Sequence, residues 1–304
     1  MDLKKHYGEE SVLQKLDGMP SQSRLQKRKK GIFTLRAVFF SLLGAGFIAL
    51  CLGAGAYRGI IADAPDVSEI NIGPTQYATF VYDVQGNQIQ QINEAQSNRI
   101  HVSIEEIPED MQHAIVAIED SRFYEHNGVD PRGMMRAAVV ALSSGFQRTE
   151  GASTITQQLI KNNVFTDWTS ENFVQSVQRK IQEQYLAVEL ERYLTDQGLD
   201  AKSIILEGYL NTVNFGSGAY GIQTAAQTYF GKDCKDLTLS ECAVLAAIPQ
   251  NPTRWDPRQN PEENAQRRAT VLNYMREQQW ITQEELEEAL NDDVYSRIRS
   301  GGQV

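Results

Sequence analysis

Two adjacent carboxylates, Glu119 and Asp120, stand at the predicted end of a helix. Met111, Ala114, Ile115 and Ile118 recur at i, i+3, i+4 and i+7 before them, and Asn127-Gly128 breaks the chain after them. A helix C-terminus carries partial negative charge, so a carboxylate there is disfavoured in its ionised form. That raises its pKa and suits a general base. The plain alternative is a solvated helix end. A second stretch, Gly151 to Asn162 (GASTITQQLIKN), opens with Thr154 and Gln157 at capping-box spacing. Gln157, Gln158 and Lys161 then share one helical face. One cation, two amides and the free N–H groups of a helix start make an anion site. The alternative is an ordinary N-cap with a polar face. A third stretch holds Arg179, Lys180 and Glu183. At i, i+3 and i, i+4 spacing these read either as surface salt bridges worth a few tenths of a kcal/mol or as a carboxylate held beside two cations that face a phosphate.

The elements that must position these groups follow from periodicity. Phe173, Val174, Val177, Ile181, Tyr185 and Val188 keep helical spacing and predict one long helix over 171–194. Arg179, Lys180 and Glu183 lie off that stripe. The segment 131–146 (PRGMMRAAVVALSSGF) is an unusually apolar helix, read either as core or as an amphipathic element that dips into a membrane surface. Further helices are expected over 204–211, 242–248, 264–279 and 283–291, and a β-hairpin over 79–92. Gly216-Ser217-Gly218-Ala219-Tyr220-Gly221 matches G-x-G-x-x-G but follows a helix rather than a strand, so it reads as a tight structural loop and not a dinucleotide site.

The N-terminal part is different in kind. Residues 1–30 are polar, basic and aperiodic, and read as disordered. Ala37 to Tyr57 is an uncharged run of 21 residues, long enough to cross a bilayer. A cleaved signal peptide is the competing reading, because Ala54-Gly55-Ala56 resembles a cleavage site. The cluster Lys27-Arg28-Lys29-Lys30 predicts a cytoplasmic N-terminus and a main body outside. Residues 1–36 carry a net +5, which leaves −15 on the remainder and argues against a nucleic-acid partner. The expected divisions are a basic tail over 1–36, a transmembrane helix over 37–57, a linker over 58–78, a catalytic domain over 79–293 and a tail over 294–304. Cys234 and Cys242 lack a histidine neighbour and do not suggest zinc; two free thiols are expected rather than a disulfide.

The blocks EDSRFYEHNG, GASTITQQLIKN, RKIQE and ILEGYLN, in this order behind one membrane anchor, resemble glycosyltransferase family 51. This is the peptidoglycan glycosyltransferase domain of class A penicillin-binding proteins and monofunctional transglycosylases. The resemblance runs from about Thr79 to about Asn291. It implies a mainly α, lysozyme-like fold in the bacterial cytoplasmic membrane that polymerises lipid II and releases undecaprenyl diphosphate. It implies that Glu119 is the catalytic base and Glu183 the second carboxylate, beside the leaving diphosphate and able to act through a divalent cation, magnesium or manganese. Lys161, Arg179 and Lys180 would offset charge on the diphosphate. Gln157, Gln158, Asn162 and Ser153 would line the cleft, with Asp120, Phe123, His126 and Thr154 shaping it. Implied partners are lipid II, the growing glycan strand, the membrane and cell-wall synthesis or division proteins.

The sequence departs from the family pattern in three places. Ala152 replaces a usual glycine, the segment between Asn162 and Arg179 is long, and Ser170-Glu171-Asn172 stands where an arginine is common. No Ser-x-x-Lys nucleophile set for a transpeptidase is present, so the chain reads as a monofunctional enzyme or the N-terminal part of a bifunctional one. The competing functions are a lysozyme-like glycan-cleaving enzyme, which would need no diphosphate cations, and an inactive cell-wall scaffold.

Overall fold

The apolar stretch predicted to cross a bilayer is helical well beyond its own limits. Helix α1 runs Gln22–Ala62, so the basic cluster at 27–30 and the start of the expected linker are helical, where disorder and coil were expected. Lys, Arg and Leu are good helix formers, and the apolar run contains no proline to stop propagation in either direction. The computed structural model describes residues 22–73, 79–82, 85, 88–92, 99–145, 151–165 and 170–300. They fall into two compact units, Met1–Ala62 and Asp63–Val304. Residues 36–57 of α1 are exposed along their length, as an apolar helix that spans a bilayer would be once the lipid is taken away.

The second unit is mainly α. Among the described residues its one sheet is the predicted hairpin, β1 (Thr79–Tyr82) paired antiparallel with β2 (Gln88–Ile92). Nine helices follow among the described residues: α2 (Glu109–Glu119), α3 (Pro131–Ser143), α4 (Ile155–Val164), α5 (Phe173–Asp196), α6 (Ala201–Thr212), α7 (Ile222–Phe230), α8 (Leu239–Ala246), α9 (Pro261–Glu277) and α10 (Gln283–Asn291). Helix α8 and the turn after it supply the centre of the core. Every residue from Cys242 to Ile248 is buried, and α8 packs on both α2 and α9. Thr238 and Glu241 form a capping box that starts α8. On the other side α4 packs between α5 and α6, with Ile155, Leu159 and Ile160 fully buried. Each such side chain stabilises the fold by roughly 1.5–3 kcal/mol. Cys234 and Cys242 are both buried free thiols.

Two apolar faces do not join this core. On α3 only Gly133 is buried, and Met135, Val139 and Leu142 are exposed, so the core reading of this helix fails. On α5 the buried face consists of Glu183, Leu186, Ala187, Leu190, Glu191 and Leu194. The stripe read from the sequence lies on another side. Phe173 is 83 % exposed, and Val174, Val177 and Val188 are also exposed. Ile181 and Tyr185 of the same stripe are half-buried, so the apolar periodicity marks a face left outward mainly at its N-terminal end, while two glutamates take part in the inward face.

Candidate active site

Glu119 ends α2, and its side chain is 8 % exposed. Burial pushes its carboxyl above the ordinary glutamate range, partly offset by a hydrogen bond from Gln158 and by the charges of Arg267 and Lys161. Gln158 Nε2 donates to Glu119 Oε2 at 3.0 Å. The hydroxyl of Tyr209, buried on α6, donates to Gln158 Oε1 at 3.2 Å. That contact fixes which way the amide faces and so aims its NH2 at the carboxylate. Glu119 Oε1 accepts no hydrogen bond, and Arg267 Nη2 lies 3.6 Å from it, too far for one. One lone-pair site on the buried carboxylate is therefore left without a donor. Glu119 lines a cleft of about 730 Å³ together with Ser121, Ser153, Gln250, Arg267 and Tyr274.

Asp120 has a different job. His126 Nε2 lies 3.0 and 2.9 Å from its two oxygens, and the backbone N–H of Ile155 donates to Oδ2 at 3.0 Å. The carboxylate thus joins the loop after α2 to the first turn of α4. Thr154 makes a second tie, donating to the carbonyl of Gly128 at 2.6 Å. Gly128 has φ +83°, and a Cβ there would come within 2.3 Å of the Ala187 carbonyl on α5. Only glycine fits this approach. Beneath the loop, Phe123 is fully buried, with Lys202 Nζ 4.5 Å from its ring centroid. Lys202 also donates to the His126 carbonyl at 2.6 Å and to Glu191 at 2.7 Å, and Glu191 accepts from Thr156 at 2.7 Å. These contacts hold three helices and the loop in one register.

The cations gather around Glu183, whose side chain is 1 % exposed. Lys180 Nζ donates to Glu183 Oε2 at 3.0 Å, to Ser153 Oγ at 2.7 Å and to Gln157 Oε1 at 3.3 Å. Arg179 donates to Glu183 Oε1 through Nη1 and to Glu171 through Nε at 2.8–2.9 Å. Burial works against the Arg179 charge, but Glu171 and Glu183 outweigh it and raise its pKa. Lys161 lies within electrostatic reach of both Glu119 and Glu183; burial lowers its pKa and Glu183 counteracts this. The predicted capping box at Thr154 is only half made. Thr154 accepts from the Gln157 N–H, but the Gln157 side chain is turned to Lys180 instead. Its Nε2, buried beside these cations, has no partner.

Both oxygens of Glu183 are taken by cations, and no group of three His, Cys, Asp or Glu side chains able to hold a metal occurs among the described residues. Asn162 is exposed and hydrogen-bonds to none of the cluster. The other predicted site residues converge on the cleft, the cation cluster or the loop between them. Three neighbours were missed from the sequence. Arg267 sits on α9, far along the chain, where two adjacent arginines in an amphipathic helix give little signal. Tyr209 was visible only as an apolar helix residue. Glu171 was noted as a departure, with nothing to show that it would clamp Arg179.

The sequence profile of the Transglycosylase family matches residues 85–276. Penicillin-binding protein 1A of Escherichia coli (strain K12) is 40 % identical over 262 residues, which cover 86 % of this chain and 28 % of that protein. Penicillin-binding protein 1A of Streptococcus oralis is 39 % identical over 252 residues, covering 83 % of this chain and 38 % of that one. Penicillin-binding protein 1A of Aquifex aeolicus (strain VF5) is 41 % identical over 258 residues, covering 84 % and 33 %. The chain therefore spans less than two fifths of the length of each of these relatives.

Proposed function

Since this chain belongs to the transglycosylase family, we propose that it is a membrane-anchored peptidoglycan glycosyltransferase that polymerises lipid II. The observation that carries the reading is a buried glutamate that lines a cleft with one oxygen short of a hydrogen bond, with a cluster of cations ordered on the neighbouring helices.

In this reading Glu119 removes the proton from the 4-hydroxyl of an acceptor N-acetylglucosamine. The oxygen forms a bond to C1 of the donor N-acetylmuramic acid, with inversion. The bond from C1 to the diphosphate oxygen breaks, and its electron pair leaves with undecaprenyl diphosphate. Lys161, Arg179 and Lys180 stabilise the charge that grows on that oxygen. The partnerless Nε2 of Gln157 lies beside the same cations. Glu183 positions two of the cations rather than moving a proton, because both its oxygens are engaged. A divalent cation, magnesium or manganese, would arrive with the diphosphate; no step is assigned to it.

The same reading assigns a role to the outward apolar faces. Met135, Val139 and Leu142 on α3 and Phe173, Val174 and Val177 on α5 are exposed. We propose that they lie in the membrane surface, where a lipid-linked substrate is held. We propose that the N-terminus lies in the cytoplasm and the catalytic unit outside, a reading that the positive cluster before the apolar helix supports. The test is incubation of the purified chain with lipid II and a divalent cation. Polymeric glycan with release of undecaprenyl diphosphate is expected. Breakdown of preformed glycan in place of synthesis would favour the hydrolase, and no glycan product at all would favour the scaffold.

A further inference from the structure

Three of the aromatic side chains exposed in the second unit are tied to the cleft, one by lining it and two through a residue that does. Tyr274 is 41 % exposed and lines the cleft beside Glu119. Trp280 is 37 % exposed, and its indole stacks on His113 of α2 with centroids 3.9 Å apart and planes 18° from parallel. Tyr124 is 49 % exposed, its ring centroid 6.4 Å from that of Trp280. The indole is held in place from a second direction. Its Nε1 donates to Gln278 Oε1 at 3.3 Å, and Gln278 Nε2 donates to the Ala117 carbonyl at 3.2 Å, two residues before Glu119. Gln278 also lines the cleft. The indole is therefore joined to the site through Gln278 and braced against the helix that carries Glu119.

Large aromatic groups left in water lose the gain of burial, so a fixed and exposed group of them calls for an occupant. A β-1,4-linked amino-sugar strand presents the matching chemistry. The axial C–H bonds of each pyranose make an apolar face that buries against a ring, while its hydroxyls and amides stay in water. We infer that Tyr274, Trp280 and Tyr124 form a track that binds saccharide units of the glycan strand as they lie outside the reacting centre. The inference rests on the polymerase reading for the identity of the strand, and on geometry for the site.

The probe is chitotetraose, a β-1,4-linked tetramer of N-acetylglucosamine, titrated into the full chain in detergent. Trp280→Ala is expected to weaken its binding about tenfold, the scale of losing one aromatic anchor. Trp280→Phe should restore most of the affinity, which a purely structural role for the indole nitrogen would not allow. Glycan strands made from lipid II should be shorter for Trp280→Ala than for the unchanged protein. Equal affinity and equal strand length in a Trp280→Ala variant that melts cooperatively would overturn the track. If that variant does not fold, the double variant Tyr124→Ala/Tyr274→Ala decides by the same two readouts. Tetraose binding without polymer formation would remove the polymerase reading and keep the saccharide site. Polymer formation without tetraose binding would remove the site alone.

Discussion

Gln158 donates to one oxygen of Glu119 at 3.0 Å and leaves the other without a hydrogen bond. This half-satisfied state is what a base needs. One contact fixes the carboxylate, and the second oxygen remains open to a proton. Holding it costs stability, because a buried carboxylate short of hydrogen bonds is poorly compensated.

Glu119→Gln removes the base and keeps the shape. Polymerisation of lipid II should fall by about 10²–10⁴, the range of a positioned general base. Stability should move the other way. The folded pKa of Glu119 lies above its unfolded value, so the folded state binds the proton more tightly. The stability that this provides is full below the unfolded pKa and is lost as pH rises through the folded one. At neutral pH the variant should therefore melt higher. A lower melting temperature would contradict the burial argument.

The pH–rate profile should be narrowed from both sides. Glu119 must be ionised to act, and its raised pKa moves the acid limb above the usual glutamate range. Lys161 must be charged, and its lowered pKa brings the alkaline limb below the usual lysine range. The Gln158 hydrogen bond favours the ionised carboxylate. Gln158→Met should push the acid limb to still higher pH, read from kcat/KM against pH. An unmoved acid limb in that variant would disconnect the limb from Glu119.

Gly128→Ala tests the junction of the loop and α5. The residue has positive φ, and its Cβ would meet the Ala187 carbonyl at 2.3 Å. Backbone strain and the clash together should cost at least about 2 kcal/mol in denaturant unfolding. Ala at Gly198, which also has positive φ but meets nothing within 4 Å, should cost less.

A triple substitution Met135→Ser/Val139→Ser/Leu142→Ser addresses the outward face of α3. These side chains are exposed, so the melting temperature should change little. Turnover of lipid II embedded in vesicles should drop several-fold, since burial of each apolar side chain in a membrane surface is worth roughly 1.5–3 kcal/mol. A strong loss of thermal stability would instead return these residues to a core.

The sequence carried much of this site because its parts are local. Helix starts at Thr154 and Thr238, the apolar face of α2 and the groups Gln157, Gln158, Lys161 and Arg179, Lys180, Glu183 are read within one or two turns. What escaped was set by contacts distant along the chain. Arg267 meets Glu119 across 148 positions of sequence, and no periodicity encodes that. The apolar stripe of α5 misled for a related reason. Periodicity says that a face is apolar, and only the tertiary arrangement says whether protein or something else covers it. Nor could spacing reveal that the Gln157 side chain gives up its capping position to reach Lys180.

The ties between Thr154 and Gly128, and between Ile155 and Asp120, have a mechanical consequence. The described residues 129–145 and 151–153 leave and re-enter the body at one sutured point. Helix α3 rides on the first of these stretches, and Glu119 sits on the far side of the suture. A push or drag on α3 is taken up at the root, where Asp120 and Thr154 clamp both strands of the chain. The protein can let its outer helix yield to its surroundings while the geometry at Glu119 stays still.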